Sequence, residues 1–251
     1  MRNIILEKLH QLEIRQDIRI LYACESGSRA WGFASPDSDF DVRFIYARKM
    51  GDYLSIADSR DVVELPVNEV LDISGWDLRK ALQLFLKSNA PLYEWLQSPI
   101  VYMEDGEFLS GMKELMPTYF SLKAAANHYL SMTVNTVSKD LQGGDVKLKR
   151  YFYALRPALA CLWIVEKEAL PPMEFALLRS LISGSDIEED IDELLKVKAG
   201  AGEKALTKPF FRIDAWLADT IDHCRGKIPM LRSEKFTTAQ LDIFFRKYVQ
   251  V

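Results

Sequence analysis

Apolar positions near the start of the chain recur at helical spacing, with Ile4, Ile5, Leu9 and Leu12 forming a stripe, and then switch to alternation over Ile18, Ile20, Tyr22 and Cys24. A period near 3.6 buries one face of a helix and a period of two buries one face of a strand, so the pattern predicts a helix leading into a first strand. Residues 27–32 read as a turn carrying one helical turn, and Ser35-Pro36-Asp37-Ser38 as loop chemistry ahead of a second strand over residues 39–46. In that strand Phe40, Val42, Phe44 and Tyr46 alternate with Asp39, Asp41, Arg43 and Ile45. The alternation puts both carboxylates on one face and the core-forming side chains on the other.

Further strands are predicted over residues 61–65 and 68–73, parted by a turn or kink at Pro66, with Asp72 near the end of the later one. From Ser74 or Gly75 the pattern turns helical, with Trp76, Leu82, Phe85 and Leu86 in an apolar stripe that stops before Asn89-Ala90-Pro91, and residues 91–97 start another helix. Beyond Asp105 nearly everything reads as helix, punctuated by Gly143-Gly144, Pro171-Pro172, Ser183-Gly184 and the glycines at 200 and 202. These changes divide the chain into an α+β region over residues 1–104 and a helical region over 105–251, which are expected to pack around a cleft. No internal repeat interrupts either.

Composition narrows the function classes. A chain of 251 residues, 49% hydrophobic and 27% charged, can bury a sizeable core. A net charge of −4 argues against a surface that is basic all over, so any polyanion must be met by a local patch. Cys24, Cys161 and Cys224 are widely spaced in the sequence with no CxxC pair, so neither a disulfide framework nor a zinc knuckle is indicated, which fits a reducing cytoplasm. Charges come too early at the N-terminus for a secretory signal, and the apolar run from Ala158 to Val165 is too short to cross a bilayer, so no membrane residence is expected. His10, His128 and His223 stand alone, without HExxH or a nucleophile motif, and residues 27–32 lack both the GK[ST] of a P-loop and the GxGxxG spacing.

Against this background, Gly27-Ser28 followed by Asp39-Phe40-Asp41 carries the chemistry. Small residues at a turn let backbone N–H groups approach phosphate oxygens, and the Ser28 hydroxyl adds a donor. Two aspartates at i and i+2 can converge on hard divalent cations such as Mg²⁺, whose shell is completed by substrate phosphates. Two ions need a third carboxylate, for which Asp72 is the candidate and Glu64 the fallback. A polar turn leading into a surface strand would supply similar aspartates, and the upstream Gly-Ser turn is what favours a site. Arg29 can meet phosphate or pair with an acid, and Arg43, on the aspartates' face, can equally be a structural partner of Asp41. Trp31 and Phe33 read as wedges for the turn. In Lys147–Pro157, Lys149, Tyr153 and Arg156 share a helical face that could meet phosphates, or could be a solvated basic face.

These residues resemble the active-site signature of the DNA polymerase β nucleotidyltransferase superfamily. The stretches Gly27-Ser28-Arg29-Ala30-Trp31-Gly32, Ser38-Asp39-Phe40-Asp41-Val42-Arg43, Asp72-Ile73-Ser74-Gly75-Trp76-Asp77, Glu94-Trp95-Leu96-Gln97-Ser98-Pro99 and Lys149-Arg150-Tyr151-Phe152-Tyr153-Ala154-Leu155-Arg156-Pro157 resemble the RlaP-like nucleotidyltransferases more narrowly, over most of the chain. The resemblance implies a catalytic region with a mixed sheet and flanking helices over 1–104, a helical region completing the cleft over 105–251, an NTP substrate such as ATP, and two Mg²⁺ ions, with Mn²⁺ as a substitute. It assigns Gly27 and Ser28 to the triphosphate and Asp39, Asp41 and Asp72 to the metals, with Asp72 nearest the attacking hydroxyl. Arg29, Lys149, Tyr153 and Arg156 are the further nucleotide-binding candidates. The expected reaction moves a nucleoside monophosphate to an acceptor hydroxyl and releases pyrophosphate. RNA, in repair or end modification, is the leading acceptor; a protein or small-molecule acceptor, or a non-catalytic nucleotide or RNA sensor, are the alternatives.

Overall fold

The computed structural model describes residues 1–66, 70–202 and 205–249. Along the chain, helix α1 (Arg2–Gln16) leads to β1 (Arg19–Ser26), the short α2 (Gly27–Trp31) and β2 (Phe40–Ala47). Then come α3 (Met50–Tyr53), β3 (Val62–Glu64), β4 (Leu71–Asp77), α4 (Leu78–Leu86), α5 (Ala90–Trp95), β5 (Val101–Glu104) and α6 (Gly106–Tyr119). Helices α7 (Leu122–Asp140), α8 (Leu148–Lys167), α9 (Phe175–Arg179), α10 (Glu188–Gly200), α11 (Phe211–Lys227) and α12 (Ala239–Val249) follow, with a two-residue ladder between β6 (Val146–Lys147) and β7 (Leu206–Thr207). Among the described residues beyond Asp105, the regular structure is therefore helical apart from that ladder, which is too short to leave an alternating pattern.

The chain falls into two compact units. The first comprises Met1–Ala30, Asp39–Phe120 and Lys235–Val251, and the second Trp31–Ser38 and Ser121–Glu234. The sequence division at 104/105 marks the end of β5, whereas the first unit runs on through α6 and takes in α12. Contacts between segments distant in sequence join them, including packing of α12 on α4. Phe108 of α6 meets Phe244 and Tyr248 of α12, with ring centroids 5.6 and 5.2 Å apart, and Tyr119 donates from its hydroxyl to the Thr237 carbonyl at 3.1 Å.

The first unit is built on a mixed five-stranded sheet ordered β3-β4-β2-β1-β5. β2 and β4 run parallel, and the other neighbours pair antiparallel. Ile5, Leu9 and Leu12 of α1 bury against Val42, Phe44 and Tyr46 of β2 and Leu71 and Ile73 of β4 on one face of the sheet. Each fully buried side chain of this size contributes about 1.5–3 kcal/mol. The opposite face carries Asp41, Arg43 and Ile45 of β2 in register with Asp72, Ser74 and Trp76 of β4.

Two expectations are corrected here. The sequence placed the start of a helix at Ser74 or Gly75, but β4 continues to Asp77, and Asp72 is its second residue rather than one near its end. Gly75 lies under the Phe44 ring, where a Cβ would approach Phe44 Cε2 to 2.2 Å, so this glycine admits a neighbouring strand's side chain and does not break a strand. Trp76 faces Trp95 of α5 with ring centroids 3.9 Å apart. Helix α4 starts only after Asp77, whose side chain accepts from the Arg79 N–H. Asn68 and Glu69, which the sequence placed in this strand, lie outside the described residues.

In the second unit α7, α8 and α11 pack together. Phe33 stacks on Phe152 of α8 at 4.8 Å and meets Phe175 edge-on at 5.5 Å, and Trp31 meets Tyr153 edge-on at 5.8 Å. The two aromatic residues that the sequence set aside as wedges are packing residues of this unit.

Candidate active site

The site is assembled where β1 ends and where β2 and β4 begin. β1 delivers its chain to Gly27, which takes a φ of 65°, a left-handed conformation open to glycine at little cost. A Cβ on Gly27 would lie 2.2 Å from the Oδ2 of Asp41, so the turn presses directly against that carboxylate. Ser28 is 8% exposed, at the base of the same turn.

Asp41 and Asp72 are direct partners in the parallel β2–β4 pairing, so their side chains leave the sheet side by side on the face away from α1. Tyr22 and Trp76 on that face engage α5, the former by donating from its hydroxyl to the Trp95 carbonyl at 2.6 Å. The carboxylates remain partly open, with side-chain exposures of 32% for Asp41 and 29% for Asp72. Arg43 lies between them, its Nη2 donating to Asp72 Oδ2 at 2.7 Å and to Asp41 Oδ1 at 3.4 Å. Its Nη1 donates to the main-chain carbonyls of Val42 and Asp72 at 3.0 and 3.2 Å. The sequence left Arg43 open between roles; the structure makes it a shared partner of both aspartates, closer to Asp72.

A buried carboxylate stands behind this pair. Glu25 is fully buried; its Oε1 accepts from the Asp41 N–H at 2.8 Å and its Oε2 from the Tyr102 hydroxyl at 2.5 Å. Burial pushes the Glu25 pKa up, against the two hydrogen bonds that favour its charged form. Glu25 thereby fixes the main chain of Asp41. The sequence reading missed it, although a glutamate closing the otherwise apolar run Ile20-Leu21-Tyr22-Ala23-Cys24 is a signal for a buried, partnered charge. Tyr102 gave no such signal.

The other candidates are placed as follows. Asp39 is exposed just ahead of β2, and its carbonyl accepts from Arg29 Nε at 3.0 Å. The Arg29 guanidinium lies over the Phe40 ring, 3.8 Å from its centroid. Glu64, the fallback ligand, is exposed on β3 opposite Ser74. In the second unit, Lys149 is half-buried and Tyr153 is exposed on α8. Arg156 is 3% exposed; its Nε and Nη2 donate to the Met173 carbonyl at 3.2 and 2.9 Å, and it lies over the Trp31 ring at 4.5 Å. Of the three side chains read as one basic face, Arg156 is thus turned into the unit.

The donor chemistry at Asp41 and Asp72 suits a hard divalent cation, since it consists of carboxylate oxygens converging on one position where a guanidinium nitrogen now stands. Among the described residues no group of three His, Cys, Asp or Glu side chains is drawn together as a ready cation cage. The structure thus brings together Asp41, Asp72, Gly27 and Ser28, while Asp39 stands at the strand entrance. Cys24, Cys161 and Cys224 are free and buried, and no helix among the described residues is long and apolar enough to cross a membrane.

Comparison with known proteins gives this geometry a family. The model of the RlaP family, described as an RNA repair pathway DNA polymerase beta family, matches residues 1–247. The uncharacterized protein YcgL of Bacillus subtilis (strain 168) is 42% identical over 236 residues, covering 94% of this chain and 91% of that protein. Among solved structures, the nucleotidyltransferase-like protein from Exiguobacterium sibiricum 255-15 aligns over 98% of this chain and 78% of its own, with 10% identity and a TM-score of 0.32. With the family model spanning all the elements that build the Gly27 turn and the Asp41–Asp72 pair, this chain belongs to the RlaP family of DNA polymerase β type nucleotidyltransferases.

Proposed function

We propose that the protein moves a nucleoside monophosphate from an NTP to an acceptor hydroxyl, with RNA as the acceptor. The observation that carries this reading is the in-register pairing of Asp41 with Asp72 beside the Gly27 turn. In the reaction the acceptor hydroxyl gives up its proton to solvent, its oxygen forms a bond to the α-phosphorus, the bond from that phosphorus to the bridging oxygen breaks, and pyrophosphate leaves with the electron pair.

The turn at Gly27 and Ser28 would hold the triphosphate through backbone N–H groups and the Ser28 hydroxyl. Arg29, Lys149 and Tyr153 are the further candidates for nucleotide contact, and Arg156 would have to share its guanidinium with Met173 and Trp31. Asp39, Asp41 and Asp72 would hold Mg²⁺, two ions in the full assembly, with Mn²⁺ able to replace it. When bound, the metal supplies a lowered pKa for the attacking hydroxyl and neutralises charge on the departing pyrophosphate. Asp72 would orient the hydroxyl and Glu25 would keep the Asp41 main chain in place. We assign the protein to the cytoplasm because its three cysteines are free thiols, Cys161 and Cys224 staying unbridged although their side chains meet, which suits a reducing compartment. The family description, which names an RNA repair pathway, favours RNA as acceptor.

The test is transfer of label from α-labelled NTPs to an RNA pool in the presence of Mg²⁺. Asp41→Asn is expected to lower transfer by about 10²–10³-fold, the scale set by removing one electrostatic group from a reaction centre. Undiminished transfer by that variant would sink the assignment. A second reading keeps the chemistry and changes the acceptor to a cationic small molecule or a protein, favoured by the net charge of −4. Label appearing on such acceptors and not on RNA would select it, and NTP binding without turnover on any acceptor would select a sensor.

A further inference from the structure

The contacts of Arg43 support a role beyond holding two strands together. Its guanidinium works as two separate arms. Nη1 is tied to main-chain carbonyls, those of Val42 at 3.0 Å and Asp72 at 3.2 Å, which anchor the group to both β2 and β4. Nη2 alone reaches the carboxylates, at 2.7 Å from Asp72 and 3.4 Å from Asp41. Arginine–carboxylate pairs are frequently bidentate, with two parallel hydrogen bonds to one acid. Here a single nitrogen is divided between two acids while the other is anchored to main-chain carbonyls, and the side chain is 19% exposed.

Resting on the metal-dependent reading of the same aspartates, we propose that Arg43 is the site's built-in counter-cation, which holds Asp41 and Asp72 together and competes with a divalent cation for them. Two carboxylates leaving paired positions of adjacent strands repel each other, and a positive charge between them removes that repulsion. The same positive charge disfavours an incoming cation at the same oxygens. Because Nη1 keeps its carbonyl anchors, the guanidinium can release the carboxylates without leaving the site, and Nη2 then becomes available to an anion. The affinity of the site for a divalent cation is therefore set below what the bare aspartate pair would provide.

Binding of Mn²⁺ alone, read by the electron paramagnetic resonance of the free ion, tests this on the full-length protein. Arg43→Gln is expected to bind Mn²⁺ at least about tenfold more tightly than wild type, and the gain should vanish when Asp72→Asn is added. Arg43→Lys keeps a charge but not the two-armed geometry, so its affinity should fall between those of wild type and the glutamine variant; this variant decides the matter if Arg43→Gln does not fold. Equal or weaker Mn²⁺ binding by the folded variants overturns the proposal, as does a gain that survives loss of Asp72. The NTP assay separates this outcome from the fate of the underlying reading. Wild-type label transfer with no affinity gain in Arg43→Gln leaves the transferase standing and removes the counter-cation. An Asp72-dependent gain without any transfer does the reverse.

Discussion

Asp72 and Asp77 lie on the same strand, β4, and differ in almost everything that decides what a carboxylate can do. Asp72, at the start, is 29% exposed and held by the shared nitrogen of one arginine. Asp77, at the end, is 5% exposed, accepts from the Arg79 N–H at 2.8 Å to cap α4, and accepts from the Tyr53 hydroxyl at 2.9 Å. Burial pushes the Asp77 pKa up, the largest influence on it, while its hydrogen bonds oppose the shift. One end of the strand keeps a carboxylate whose partner can be exchanged, and the other locks its carboxylate into the fold. Here the partly open carboxylate with an exchangeable partner is available for chemistry, and the buried one, engaged by a backbone N–H and a tyrosine hydroxyl, serves the architecture.

The sharpest way to break this comparison is to neutralise each acid in turn. Asp72→Asn is expected to reduce nucleotidyl transfer by about 10²–10³-fold while costing less than about 1 kcal/mol of stability, because a partly exposed ion pair contributes little to folding. Asp77→Ala should do the opposite, lowering stability by about 0.5–2 kcal/mol through loss of the helix cap and leaving transfer by the folded fraction intact. Labelled-NTP assays beside urea titrations would show it, and an activity loss confined to Asp77→Ala would invert the contrast.

A smaller effect extends the comparison to two basic residues of the second unit. Arg156→Met should cost about 1.5–3 kcal/mol, the scale of a hydrogen bond from a charged donor, because the Met173 carbonyl loses that donor inside the unit. Lys149→Gln should weaken NTP binding, which calorimetry would detect. If Arg156→Met keeps wild-type stability and loses only NTP affinity, the buried arginine is a ligand contact after all.

The smallest effect concerns Glu25, whose folded-state pKa is raised by burial. A carboxyl raised in this way contributes its stability below the unfolded value of about 4.3, and that contribution is lost as pH rises through the folded-state pKa. Glu25→Gln, which retains an acceptor for the Asp41 N–H, should lack this downward slope. Denaturant midpoints across that pH window would run parallel for the two proteins if Glu25 were not the group responsible.

Much of this site was legible in the chain because its parts are local. Alternation over residues 40–46 separated Phe40, Val42, Phe44 and Tyr46 from Asp41 and Arg43, and the structure keeps that separation in β2. The Gly27-Ser28 turn was visible from its residue types. Glu25 behind Asp41 was not, because the hydrogen bond from the Asp41 N–H crosses between strands. The continuation of β4 through Gly75 was hidden for a related reason, since the glycine's purpose lies in Phe44 on the neighbouring strand. Arg156 read as one side of a basic face because helical spacing alone does not show that Trp31 and Met173 draw it inward.

By itself the sequence determined which residues could carry the chemistry and which face of β2 would carry it, because a strand's two-residue period and a turn's demand for glycine are properties of a few adjacent residues. Only the tertiary structure decided that β4 runs parallel to β2 with Asp72 directly beside Asp41, that Arg43 stands between them, and that α12 joins the unit holding the site. Those outcomes depend on strand register and on packing between segments far apart in the chain, which no local period encodes.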